Sequence, residues 1–490
     1  MKKTILFLMM VLTSGMLCFG QIELTVDINP GAENSWPKGL TAFKGDLYII
    51  ADNGDTGSEL FRYTAGGDLE LVFNLGSGSS DGVLPFEAGN RMLVLGDYLY
   101  FLGYTADEGW EMMRYDGDNP PSLAGTPPTA GATGSEPKYP VVLDNKIYFQ
   151  ANTATFGKEL YVYFPSSNLV VRAKDVYTGE ISGNPSHLVA YNDKLYFSGL
   201  RTFATGAELY EYDPATGDLN LVANINSELL ESSEINHTVV HNDVLYFTAT
   251  EGEFGRELYS YDGTDVICHT DFYPGDGDGV LTIYPYGNKL CFFGSDGVVG
   301  HQLALYDYSD DSVTPIGLVN SGSFTSVPEW MEYNDILYFT TSVGELGFEL
   351  WKTDGTEIEM VQDLFEGIGS GFPAYFCLWN GTMYMSAYTS EFGYEVYELH
   401  TESTAGVNET DMHQVKIYPN PVKDVLNIAF EKDGNYAYSL YSLAGQQVKS
   451  GEFDRKTNQL TVSGLPKGMY VLKITDQSGK SVSTHKILVK

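Results

Sequence analysis

GFELWKTDGT, Gly347 to Thr356, decides the fold, because the chain carries it in degraded copies from end to end. The copies are GSELF at Gly57, GWEMM at Gly109, GKELY at Gly157, GAELY at Gly206, GRELY at Gly255, GHQLA at Gly300 and GYEVY at Gly393. Upstream of each stands a short apolar run, at Leu47, Leu99, Ile147, Leu195, Leu245, Leu290, Leu337 and Met383, with spacings of 52, 48, 48, 50, 45, 47 and 46 residues. These runs are too short and too aromatic for helices. Their continuous apolarity predicts strands covered on both faces.

The fourth copy displays the whole unit: SHLVAY, the turn Asn192-Asp193, KLYFSGL, a loop ending at Gly206, AELYEYD, the turn PATGD and LNLVANI. Four antiparallel strands, a to d, at this period match a propeller blade. The last unit runs from strand c into the polar TESTAGVNETD and lacks d. At the other end IELTVDINPGAENSWP places Asp27, Gly31 and Pro37 as DVYTGEISGNP places Asp175, Gly179 and Pro185, and as DLFEGIGSGFP places Asp363, Gly367 and Pro373. Residues 22–28 therefore read as the missing d strand, donated from the N-terminus to close a ring without open edges. The expectation is an all-β, eight-bladed propeller over 21–400 with 32 strands, a linker over 401–412 and a small β-sandwich over 413–490.

The recurring pairs Gly57/Glu59, Gly157/Glu159, Gly206/Glu208, Gly255/Glu257, Gly347/Glu349 and Gly393/Glu395, with Gly109/Glu111, have two readings. The glycine begins strand c after a loop and suits a positive φ. The glutamate either satisfies loop amides in its own blade or joins a ring of cation ligands, and Gln302 in the sixth unit favours the amide role by keeping the acceptor without the charge. Phe61, Tyr161, Tyr210, Tyr259, Trp351 and Tyr397 read as packing between blades, and Asp-Gly at 262 and 354 as c-to-d turns. GDGDG at Gly275, with Asp271, Asp276 and Asp278, is the calcium candidate, and calcium the candidate cofactor. A full EF-hand loop needs further acids that do not follow, and Asp271 aligns with Asp27, Asp175 and Asp363 as an Asx turn.

The first residues, MKKTILFLMMVLTSGMLCFG, have the charge, apolar core and small closing residues of a signal peptide over 1–20, while Leu17 argues against lipid modification at Cys18. Cys268, Cys291 and Cys377 are scattered and suit small buried hydrophobes rather than disulfides or a metal site. The net charge of −37 is uneven: residues 413–490 hold 11 Lys+Arg against 6 Asp+Glu, leaving −44 on 21–412. That acidity argues against nucleic acid as a partner and favours cations or neutral ligands. GSSDG at Gly78 lacks the strand-turn-helix context of a nucleophile elbow. His187, His237 and His241 near the starts of strands a are the candidate bases of a propeller enzyme.

Residues 413–490 resemble the C-terminal sorting domain of the type IX secretion system of Bacteroidota, through IYPNPVKDVLNI at Ile417, LYSLAGQQV at Leu440, LPKGMYVLKI at Leu465 and the terminal KILVK. The resemblance implies export, the secretion machinery as partner, and a secreted or outer-membrane surface destination. Residues 22–400 resemble the ELWxxDGT repeat family, whose motif Glu349 to Thr356 matches completely. That family brings no activity with it. The expected function is non-catalytic binding or adhesion, with a glycan or protein ligand on the acidic loop face around Asp81, Glu228, Glu231, Asp276, Asp278 and Glu366. The alternative is a polysaccharide lyase or glycosidase on the same scaffold.

Overall fold

The computed structural model describes residues 21–76, 78–86, 91–129, 133–319, 329–400, 415–418, 422–430, 436–442, 447–453, 457–476 and 481–490. The signal-peptide reading of 1–20 and the linker reading of 401–412 lie outside the described residues. Every helix or strand among them is a β-strand. The chain divides into two compact units, 1–400 and 401–490.

In the first unit the strands form antiparallel sheets in sequence order a-b-c-d, seven of four strands and one of five. The fourth unit shows the pattern: Ser186–Tyr191, Lys194–Thr202, Gly206–Asp213 and Asp218–Ala223 pair successively. Strand b is apolar without alternation because its two faces enter different cores. Leu195 and Phe197 pack with Tyr148, Leu160 and Val162 of the preceding sheet. Tyr196 packs with Leu245 and Phe247 of the following one. Each such side chain contributes about 1.5–3 kcal/mol by burial.

The N-terminal strand Gln21–Val26 pairs antiparallel with Gly393–His400, Ile22 opposite Leu399 and Leu24 opposite Tyr397. Beyond it, Ile28, Leu40 and Leu47 share a core with Trp379, Tyr384 and Val396, so the first and last sheets pack on each other. The second sheet departs from the four-strand unit. Its strand a, the inner strand, which in several sheets lies against strand a of the next, is interrupted, with Val83–Leu84 and Leu93–Leu95 both pairing with Tyr98–Thr105.

The second unit has one sheet of Val415–Tyr418, Val425–Phe430 and Thr457–Thr461 and another of Gln447–Phe453, Tyr436–Ser442, Gly468–Asp476 and Ser481–Val489. One core serves both, including Leu426, Ile428, Leu440, Leu472 and Ile487. All three described cysteines are unpaired. Cys291 and Cys377 are buried as expected, whereas Cys268 is exposed on the short outer strand Val266–Cys268 and donates its thiol to the Thr270 carbonyl.

Candidate functional site

Each letter of the seventh unit's motif has a local task. Leu350 is buried between sheets, and Trp351 packs with Phe293, Trp330 and Phe339 of its own and the neighbouring sheet. Asp354 closes the c-to-d turn by accepting the Thr356 amide at 3.0 Å and its hydroxyl at 2.6 Å, with Gly355 at φ 91°. Glu349 is fully buried and accepts the amides of Leu364 at 3.0 Å and Gly371 at 2.8 Å, the two ends of the loop running from strand d to the next sheet.

The glutamate takes loop donors in the other units too, at one end of the loop or at both. Glu59 holds the Leu75 and Gly76 amides, Glu111 the amide and hydroxyl of Ser135, and Glu159 the Val176 and Gly183 amides. Glu208 accepts from Ile225, and Glu257 from Thr270, Phe272 and Tyr273. Glu395 reaches into the N-terminal segment, taking the Ile28 amide at 2.9 Å and the Ser35 hydroxyl at 2.6 Å. Burial pushes Glu111, Glu159, Glu208, Glu257, Glu349 and Glu395 up to about 7, against the opposing pull of these donors. Gln302 is likewise buried, and its loop over 320–328 lies outside the described residues.

A second contact in these loops carried no signal in the sequence reading. The residue just before six of the seven glutamates donates its amide to a loop side chain: Ser58 to Asp81, Lys158 to Ser182, Ala207 to Ser232, Arg256 to Asp278, Phe348 to Ser370 and Tyr394 to Asn34, at 2.8–3.2 Å. The preceding glycine lets the loop come this close. Gly57, Gly157, Gly206, Gly255 and Gly393 have φ between 65° and 70°. Gly347 lacks a positive φ, contrary to the expectation, and its need for glycine is steric: a Cβ there would meet the Gly369 carbonyl well inside van der Waals contact.

These contacts bear on the calcium candidate. Asp278 occupies the position held elsewhere by Asp81, serine or asparagine, and its carboxylate accepts the Arg256 amide at 3.2 Å. Among the described residues no group of three or more His, Cys, Asp or Glu is arranged to hold a metal ion, so Asp271, Asp276 and Asp278 do not come together as a ligand set. The aligned Asp27 and Asp363 each accept the amide of a glycine four residues on.

The inner strands present a different kind of repeat. Their registers break between Lys38 and Thr41, Lys138 and Val141, Ser186 and Val189, Asn236 and Val239, and Ala374 and Cys377. At the second residue of each strand φ is positive: Gly39 60°, Tyr139 53°, His187 53°, His237 47° and Tyr375 56°. These strands lie against one another, and their bulge residues meet. The Tyr139 and His187 rings are 5.2 Å apart, Thr238 donates to the His187 carbonyl, and Gly39 bridges to Arg91. Arg91 lies 4.0 Å from Glu329, whose carboxyl burial pushes up.

Burial lowers His187, and lowers His237 to about 4 with help from His187 and Arg256. Both are neutral imidazoles at neutral pH. His241 does not join them: it ends its strand, Asn236–His241, rather than starting it, and stacks on Tyr308 at 5.4 Å.

Residues 416–490 match the model of the secretion system C-terminal sorting domain. No curated protein matches the chain. Among solved structures, the chain is similar to PorZ, an essential bacterial surface component of the type IX secretion system of Porphyromonas gingivalis, at 13% identity over 92% of this chain and 70% of that one, TM-score 0.40. It is similar to a puromycin-hydrolysing peptidase of Mycobacterium tuberculosis at 10% identity over 76% of this chain and 61% of that one, TM-score 0.47. TolB of Acinetobacter baumannii is similar at 13% identity over 78% and 79%, TM-score 0.33. The sorting domain indicates export to the cell surface or secretion and implies interaction with the type IX secretion machinery.

Proposed function

We propose that this is an exported, non-catalytic binding protein: a signal peptide over 1–20, an eight-bladed propeller of ELWxxDGT type over 21–400 closed by its N-terminal strand, a linker over 401–412 and a cleavable sorting β-sandwich over 413–490. The ligand is held where the inner strands begin. One observation carries this reading. Tyr139, His187, His237 and Tyr375 adopt the left-handed conformation in which the first unit places Gly39. For a bulky residue that conformation costs about 1–2 kcal/mol, and strain of this kind gathers at binding sites. Glycine would relieve it, so the side chains themselves are what the position keeps.

The enzyme reading has the Tyr139–His187 contact in its favour, but an imidazole held near 4, as His237 is, makes a poor general base at neutral pH. The test is retention of the full chain on a panel of polysaccharides, with product formation measured alongside. Retention that is lost in Tyr375→Ala supports binding at this site. Shortened product that depends on His187 or Tyr139 would replace it with catalysis.

A further inference from the structure

We infer that the cavity at the inner strand starts takes an acidic saccharide, a short chain of uronic sugars. This rests on the binding reading above and names its ligand class. The cavity has a volume of about 380 Å³, within the range of small-ligand sites, and its walls include Lys38, Lys138, Trp110, Tyr375, Glu136 and Leu84. Lys38 and Lys138 are the first residues of the inner strands in the first and third sheets. Each stands one residue before a bulge position, Gly39 or Tyr139, so the irregular backbone that positions the bulge also sets the lysine stem.

Two lysines lining one cavity run against the charge of residues 21–412, which sums to −44. The field of that surface repels a bare anion. A ligand that reaches these lysines therefore needs further contacts, and the cavity provides them. The Trp110 and Tyr375 rings and Leu84 offer apolar faces to the C–H face of a sugar ring. Glu136 is acceptor-only when ionised: it disfavours phosphate or sulfate alone and favours a ligand with hydroxyl donors beside its charge. Carboxylate, hydroxyls and an apolar face occur together in a uronic sugar.

Two exposed aromatic pairs flank the cavity-lining residues in sequence, which argues for more than one sugar unit. Trp36, 50% exposed, stacks on Tyr394 at 4.5 Å, and Phe372, 44% exposed, stacks on Phe348 at 5.3 Å. Trp36 precedes Pro37 and Lys38, while Phe372 precedes Pro373, Ala374 and Tyr375. Both aromatic pairs are thus tied to the segments that build the cavity.

The test is calorimetric titration of the full chain with an oligogalacturonate and an alginate oligosaccharide, each beside its methyl ester of the same length. At least one acid form should bind, with its ester about tenfold weaker or more, as loss of a charge-assisted contact requires. Lys38→Ala combined with Lys138→Ala should bring the acid form down to its ester, with an unchanged melting temperature certifying the fold. Trp110→Ala should weaken both forms. Equal affinity of acid and ester, full binding by the double lysine variant, or no binding of either acid form would overturn the assignment. If a neutral glycan from the panel binds through Tyr375 while the acids do not, the ligand class fails and the binding reading stands; if no inner-strand variant alters any retention, both fail.

Discussion

The clamp positions and the inner-strand positions both recur through the first unit, but they recur in opposite ways. At the clamp the side chain is nearly constant, glutamate in seven units and Gln302 in the sixth. At the inner bulge five of the eight sheets share a backbone conformation while the side chain varies, as Gly39, Tyr139, His187, His237 and Tyr375. Where the residue is fixed, each copy solves a similar local problem, loop amides or hydroxyls that need a buried acceptor. Where geometry is fixed and chemistry varies, the scaffold presents different groups to one place. The first pattern marks architecture, and we propose that the second marks the site.

The largest effect expected from breaking the architectural side is removal of residues 21–29. It takes away the buried Ile22 and Ile28, uncovers Leu399 and Val396 that pack with them, and strips Glu395 of its Ile28 and Asn29 donors, a loss of more than about 5 kcal/mol. Removing 405–490 should leave the melting transition of the first unit in place. Calorimetric scans of the two truncations separate them, and equal melting temperatures would show that the N-terminal strand does not close the fold.

Gly347→Ala comes next. Its Cβ would collide with backbone rather than with a side chain that can swing away, so a cost of about 2–4 kcal/mol is expected in urea unfolding. Gly217→Ala, in open space at φ 75°, incurs only the backbone strain and should cost about 1 kcal/mol.

A smaller, distributed effect concerns pH. The six clamp glutamates raised to about 7 bind protons in the folded state that the unfolded chain, near 4.5, has released. Their stabilisation is fully present below pH 4.5 and is lost as pH rises to 7. The lowered His187 and His237 act in the opposite direction, but they are fewer. The melting temperature of the first unit should therefore be higher at pH 5 than at pH 8, and Glu159→Gln should flatten the slope by one proton's worth. A curve that rises from pH 5 to pH 8 would mean the clamps are ionised throughout.

The strand order and the clamp were legible because their residues repeat: an apolar run, then Gly-x-Glu, then Asp-Gly. The inner site was hidden because its side chains do not repeat. What recurs there is a register break and a sign of φ, neither of which is a letter. A trace does survive in Trp36-Pro37, Glu136-Pro137, Asn184-Pro185 and Phe372-Pro373, each leading into a bulge residue two positions beyond the proline. The calcium candidate shows the reverse case. GDGDG looked special as a string, yet Asp278 occupies a loop position that Ser182, Ser232, Ser370 and Asn34 fill equally well, since all supply an acceptor for one amide.

The most direct test of this division is a side-by-side urea unfolding of Glu349→Ala and Tyr375→Gly. Glu349→Ala leaves the buried Gly371 amide and the half-buried Leu364 amide without acceptors and should lower stability by about 3 kcal/mol. Tyr375→Gly exchanges packing for relief of strain at φ 56° and should stay within about 1 kcal/mol of the parent. A loss at Tyr375 as large as that at Glu349 would show the inner residues to be architecture too, and would contradict the account.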